Sequence, residues 1–385
     1  MSTGLWGRMP RPWTRKAEQA ALGVFFGYAA GMFKRVLPGM AILVTGVLSA
    51  GCPSKETLAF AVVADGVIND PANKSLRFDL LKFGLDQFCL EMTNRGAPLK
   101  LGDEMPTAGR FFAASCQHQI LDTEGRKSLV VQYSGTGYGW TNVSGRIGFQ
   151  ASGLVEYAPD FQVHEDAMYI YFRPQEIDAS SFKTLMVESA VVNTGLSMAQ
   201  IDPDEVGTRI VRGQLQRGFT VIRHNSQGET DFGMGLIPKG QVPEKPYLVE
   251  TTNRTNLVND TTEVHSGQQD YIGNFEVSDD DEVLFLTANL DGTPTVDIAL
   301  VPKAGSVQML EQYVHNPGAA TLLMPPVLQE PLAQGTPWQR SIKLAQGSYA
   351  LVIDNSDRLG QSTPPLRPLD SPAHVSYLVQ RGEAD

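Results

Sequence analysis

The feature that most limits what this chain can become is its punctuation. Short β-prone runs are cut off, one after another, by Gly, Pro, Asn and Asp, and the 385 residues include 37 Gly and 24 Pro. Such spacing leaves little room for long helices and favours antiparallel strands joined by turns. Leu129-Val130-Val131-Gln132-Tyr133 is one run, and Gly145 to Tyr157 alternates with Ile147, Phe149 and Ala151 on one face. Met168-Tyr169-Ile170-Tyr171-Phe172 is a compact aromatic strand, with Tyr169 and Tyr171 on the same side. Thr184 to Val192, Thr208 to Leu215 and Gly218 to Arg223 read as further strands. Helical spacing is best over Ser75 to Met92, where Leu76, Leu80, Leu81, Leu85 and Phe88 recur. Gly84 weakens that helix, and a strand over Leu85 to Met92 competes with it.

Pro238, Gly240, Pro243 and Pro246 mark a boundary, because neither a helix nor a central strand tolerates that density. Beyond it, strands are expected at Tyr271 to Val277, Val283 to Ala288, Asp297 to Val301, Ser341 to Leu344, Ser348 to Asp354 and Ala373 to Val379, with a Pro-rich excursion at Pro317 to Pro337. The expected fold is mainly β, with two antiparallel sandwich-like or barrel-like domains and one short helix near 75–92. The divisions are an export segment at 1–51, a tether at 52–57, a first domain at 58–240, a linker at 241–250 and a second domain at 251–385. Two stretches, Val296-Asp297-Ile298-Ala299-Leu300 and Gln346 to Asn355, loosely resemble the β-sandwich accessory modules of secreted bacterial proteins, such as the pre-peptidase C-terminal class. That resemblance implies a binding or stabilising appendage.

The N-terminus carries an address. Lys34 and Arg35 precede an apolar run, Val36 to Val47, too short for an ordinary spanning helix, followed by Leu48-Ser49-Ala50-Gly51-Cys52. This resembles the lipobox of bacterial lipoproteins, although Ser49 stands where that family more often has Leu. The resemblance implies a diacylglycerol on the Cys52 sulfur, cleavage before Cys52, acylation of the new amine with chains such as palmitate, and anchoring in the envelope. Pro53 in place of Asp favours the outer membrane over the inner. A segment starting at Met32 has normal proportions for such a signal, so the expected start is Met32.

Residues 1–51 hold six basic side chains and one acid, so their removal takes the net charge from −11 to −16. An acidic body is a poor match for nucleic acid and is repelled by anionic headgroups. Attachment then rests on the acyl chains, at about 0.8 kcal/mol per buried CH₂. Cys89 and Cys116 remain as an even pair and read as a disulfide, the mark of an exported chain.

No catalytic constellation stands out, and no cofactor is implied. Tyr133 to Trp140 has the glycine density of a phosphate loop but lacks the following helix and the Gly-Lys-Ser/Thr, so it reads as a β-turn whose exposed Tyr138 and Trp140 offer stacking surfaces. His164-Glu165-Asp166 is followed by Met168 where a helical zinc site needs histidine. Asp279, Asp280 and Asp281 offer hard oxygen ligands for Ca²⁺, yet lack calcium-loop spacing and read as a solvated turn; Asp354-Asn355-Ser356-Asp357 reads the same way. The expected function is a lipid-anchored bacterial envelope protein with a non-catalytic binding or assembly role. The alternatives are an envelope hydrolase, using residues such as Asp160, Glu165 and Asp166, and a carbohydrate-binding lipoprotein that stacks sugars on Tyr138, Trp140, Tyr169 and Tyr171. Partners are the membrane, and other envelope proteins or glycans.

Overall fold

The computed structural model describes residues 70–100, 106–123, 126–141, 145–165, 167–188, 203–224, 230–249, 253–360, 362 and 372–383. The export segment, Cys52, the tether and the expected start at Met32 lie outside the described residues.

The molecule is mainly β and antiparallel. The first half begins with α1 (Lys74–Leu90), which runs on into a π-helical turn over Glu91–Arg95. Then come β1 (Ala97–Pro98), β2 (Gly109–Thr123), β3 (Arg126–Thr141), β4 (Gly145–His164) and β5 (Ala167–Val187). Next are α2 (Pro203–Gln216), β6 (Phe219–His224) and β7 (Thr230–Met234). The seven strands form one meander in sequence order, each paired only with its chain neighbours. Pro174 is accommodated inside β5 because it lies where the β4–β5 register shifts, opposite Tyr157. One face of this sheet packs on α1 and α2 around Phe88, Phe111, Tyr157, Phe172 and Phe219. Each fully buried aromatic of that kind contributes roughly 1.5–3 kcal/mol.

Both helices approach the sheet through glycine. A Cβ on Gly84 would meet the Phe172 ring at 2.4 Å, and one on Gly207 would meet the Phe182 ring at 1.9 Å. The residue that weakens α1 in isolation is thus the one that lets it lie flat on the sheet. The Cys89–Cys116 disulfide ties α1 to β2 across 27 residues.

The segment Thr208 to Leu215, expected as a strand, is instead the body of α2. Its β-branched residues suggest a strand, but Gly207, Val211, Gln214 and Leu215 fall at helical spacing and are buried. Asp204 in the first turn accepts the backbone N–H of Thr184 at 2.7 Å, which fixes the helix to β5.

The second half contains β8 (Thr255–Val264), β9 (Gln268–Val277), β10 (Glu282–Asp291) and β11 (Thr295–Pro302), followed by α3 (Lys303–His315). It continues with β12 (Leu328–Ala333), β13 (Trp338–Lys343), β14 (Gly347–Asn355) and β15 (Ala373–Glu383). Two four-stranded sheets have the orders β13-β10-β15-β8 and β12-β11-β14-β9. That interleaving is the eight-stranded jelly roll of two Greek keys. Residues such as Leu284, Leu286, Ile298, Leu300, Leu351 and Tyr377 fill the space between the sheets. β8, α3 and β12 are elements that the sequence patterning did not resolve.

Candidate functional site

The most elaborate side-chain chemistry in the described molecule lies where the meander sheet meets the jelly roll. The contact begins with one parallel rung, Thr107 against Thr262, in which Glu263 N–H donates to the Thr107 carbonyl at 2.8 Å. α3 and the ends of β3 and β4 then cover the outer face of β9, β14 and β11, burying Tyr138, Tyr271, Met309, Tyr313 and Val352 together.

Two arginines from the first half anchor this seam. Arg110, near the start of β2, is 3% exposed and grips Asp270 of β9 with both arms: Nε to Oδ1 at 2.9 Å and Nη2 to Oδ2 at 2.9 Å. Nη2 also donates to the Tyr377 hydroxyl of β15 at 2.8 Å. Tyr138 of β3 donates to Asp270 Oδ1 at 2.6 Å and accepts from the Tyr271 backbone at 2.9 Å. Burial alone would depress the Arg110 guanidinium, but Asp270 and the flanking tyrosines hold its pKa well above the usual value. Burial, reinforced by Asp270, pushes the Tyr138 hydroxyl well up, so it stays a donor. A buried ion pair is tolerated when further hydrogen bonds support it, as those of Tyr138 and Tyr377 do here.

Arg146, at the start of β4, is fully buried. Its Nη2 donates to the carbonyls of Asn316 and Gly318 at 2.8 and 2.9 Å, just past the end of α3. Its guanidinium lies 3.6 Å over the buried Tyr313 ring, a cation–π contact. Glu188 lies 3.7 Å from Arg146 Nε and accepts from Gln268 Nε2 and from Gly318 N–H. Burial pushes the Tyr313 hydroxyl up to about 12.

The aromatic residues expected at a surface lie elsewhere. Tyr138 is 3% exposed and belongs to the seam. Trp140 is half-buried and stacks on His265, with centroids 3.3 Å apart. Tyr169 and Tyr171 do share a face and stack on one another, but both are buried. They sit under the Pro-rich segment after β7, where Ile237 packs on them and Gln241 accepts the Tyr169 hydroxyl at 2.9 Å. The expectation of an exposed platform at Tyr138, Tyr169 and Tyr171 is therefore corrected. The prolines that exclude this segment from the sheet make it a strap over the sheet instead. Tyr133 to Trp140, expected as a turn, is the interior of β3.

Asp160 pairs with Arg173 at 3.3 Å, Glu165 is exposed at the β4–β5 turn, and Asp166 lies outside the described residues. Asp279, Asp280 and Asp281 are exposed, and Glu282 closes their turn by accepting the Ser278 N–H at 2.6 Å. Among the described residues, no three His, Cys, Asp or Glu side chains converge as metal ligands. By contrast Asp354, Asn355 and Ser356, expected as a solvated turn, are buried. A cavity of about 10 Å³ at the seam edge, by Trp140 and Glu263, and an apolar one of about 20 Å³ between α1, α2 and the sheet are each of water size.

The seam residues escape sequence reasoning because Arg110 and Asp270 are 160 positions apart. The one local sign is an acid inside an otherwise strand-like run, as in Gln269-Asp270-Tyr271.

The fold and seam define a class: a mainly β protein of two halves, a meander sheet carrying two helices and a jelly roll, joined at a buried seam by two arginines. No family model matches the chain, and no curated protein does. Among solved structures, a Bacillus endospore appendage, described as a disulfide-linked pilus, aligns at 11% identity and a TM-score of 0.19 over 36% of this chain and 99% of its own. BiXyn10A CBM1 in its apo form aligns at 9% and 0.16, over 43% and 81%. Infectious bursal disease virus, Gx strain, aligns at 11% and 0.19, over 77% and 76%. TM-scores this low do not establish a fold relationship.

Proposed function

We propose that this protein is a lipid-anchored component of the bacterial cell envelope, held at Cys52, and that it works by binding or by holding an assembly together. The observation that carries the reading is the Cys89–Cys116 bridge, since structural disulfides persist in oxidising compartments and are rare in the cytosol. The lipobox-like Leu48 to Cys52 supplies the route there and the anchor. The seam supports a structural role, because it makes the two halves one body presented at the end of a tether. The acidic surface keeps that body off anionic lipid.

The test is the intact mass of the membrane-extracted protein, with and without reductant. The expected species begins at Cys52, carries acyl chains and gains two hydrogens on reduction. Cys52→Ala should move the protein from the membrane to the soluble fraction. An unacylated chain in the cytosol with free thiols at Cys89 and Cys116 would overturn the proposal.

A further inference from the structure

Two aspartates inside the jelly roll have no part in the seam. Asp297 of β11 and Asp354 of β14 are direct partners in the antiparallel ladder, and Gln269 of β9 is the next residue in the same row. Asp297 is 1% exposed and Asp354 fully buried. The chain leaving β14 folds back over them. Asp354 accepts from the Ser356 hydroxyl at 2.6 Å and from the Leu359 N–H at 3.1 Å. Asp297 Oδ2 accepts from the Ser362 N–H at 2.8 Å and from its hydroxyl. Gly360 lies so close that a Cβ there would meet the Asp297 carboxylate at 2.3 Å. The two carboxyls are thus the floor onto which 356–360 and Ser362 are fastened.

We propose that Asp297 and Asp354 form a proton-dependent clasp: the pair takes up a proton on folding, which holds 356–360 and Ser362 against the sheet, and losing it toward neutral pH loosens them. The reason is electrostatic. Two carboxylates facing each other in a low-dielectric interior repel, and the cheaper state keeps one neutral. Burial pushes the Asp354 carboxyl up to about 6, and Asp297 pushes in the same direction against the hydrogen bonds from Ser356, Gln269 and Leu359. β9 presents Gln269 and the Tyr271 hydroxyl, which releases no proton in this range because burial holds its pKa well up. α3 presents Tyr313, and β12 presents Gln329, whose amide donates to the Leu359 carbonyl. On the segment itself, Arg358 and Asp357 are more than half exposed and pair with each other at 3.6 Å.

The sign follows from linkage. Asp354 binds its proton more tightly folded than unfolded, so its contribution is complete below about pH 4 and is lost as pH rises through about 6. The experiment is reversible unfolding of the full chain from pH 4 to 8, beside Asp354→Asn and Asp297→Asn. Relative to Asp354→Asn, the wild-type folding equilibrium constant should fall up to about tenfold per pH unit between about 4 and 6, then level off. Parallel profiles would overturn the clasp. So would Ca²⁺ raising the wild-type midpoint at pH 7.5 but not that of Asp354→Asn, since a cation would then be the neutralising species. Should the Asn variants not fold, infrared spectroscopy of the wild type decides. A buried carboxylic-acid C=O band present at pH 5 and lost by pH 7.5 supports the clasp, and its absence at pH 5 sinks it.

Discussion

The two sheets that meet at the seam are built to different rules. Along β4 of the meander, burial alternates from Gln150 to Ala158, because one side faces the helices and the other faces water. Along β11 of the jelly roll, Val296 to Val301 are buried without a break, because the sandwich core lies on one side and α3 with the first half lies on the other. The water-facing side of the meander is polar and regular. Ser115, Ser134, Ser152 and Ser181 stand directly opposite one another on four adjacent strands, in hydroxyl pairs 2.7 Å apart. The doubly covered sheet instead holds acids, Asp270, Asp297 and Asp354, each surrounded by donors. A sheet covered on both sides can keep charge in specified positions, whereas a sheet covered on one side sends its polar groups to water.

The comparison is broken most forcefully at Asp270. Asp270→Asn leaves the Arg110 guanidinium buried without its counter-charge and should cost about 3–5 kcal/mol. Both halves should melt together at the lower midpoint, read by calorimetry. The double change Arg110→Met with Asp270→Leu should recover much of the loss, because an apolar pair of similar volume needs no counter-charge. Two separate transitions in the wild type would show that the seam does not couple the halves.

The next effect is confined to the meander. Reducing Cys89–Cys116 reopens a 27-residue separation and should cost roughly 3 kcal/mol in the chain-entropy model, lowering the urea midpoint of the whole body. Reduction without a change in midpoint would mean that α1 is held by packing on Phe172 and Phe219 alone.

What the sequence disclosed follows the same division. Where one face meets water, as in β4, alternation was readable and the strand was placed; the aromatic part of β5 was placed as a compact β-prone run, although Met168 to Phe172 are buried on both faces. The mainly β class, the helix beginning near Ser75 and the pairing of the two cysteines were readable too. β11 and β14 were also found, at Asp297 to Val301 and Ser348 to Asp354, although their doubly buried setting was not legible. α2 was missed because β-branched Thr208, Ile210 and Val211 outweighed a short helical period. The seam was missed because a buried Arg110 is indistinguishable in sequence from a solvated one until Asp270 arrives from the other half. Tyr169 and Tyr171 were placed on the correct shared face, but nothing local announces a strap.

The smaller effects sharpen the contrast between covered and uncovered faces. Gly84→Ala improves helix propensity by about 1 kcal/mol. Its methyl, however, would enter the Phe172 ring, which is stacked on Phe219 with centroids 4.1 Å apart and has nowhere to go. Overpacking of about 1–3 kcal/mol then outweighs the gain, and the midpoint should fall. Leu154 sits in the middle of the water-facing side of β4, between Gln132 and Asp178, and is 38% exposed. Leu154→Lys should change stability by less than about 0.5 kcal/mol, because its removal opens no cavity and strands no partner. A loss of 2 kcal/mol or more, measured by urea unfolding, would mean that this polar face is covered in the working protein, and the serine row beside it would then be where that cover rests.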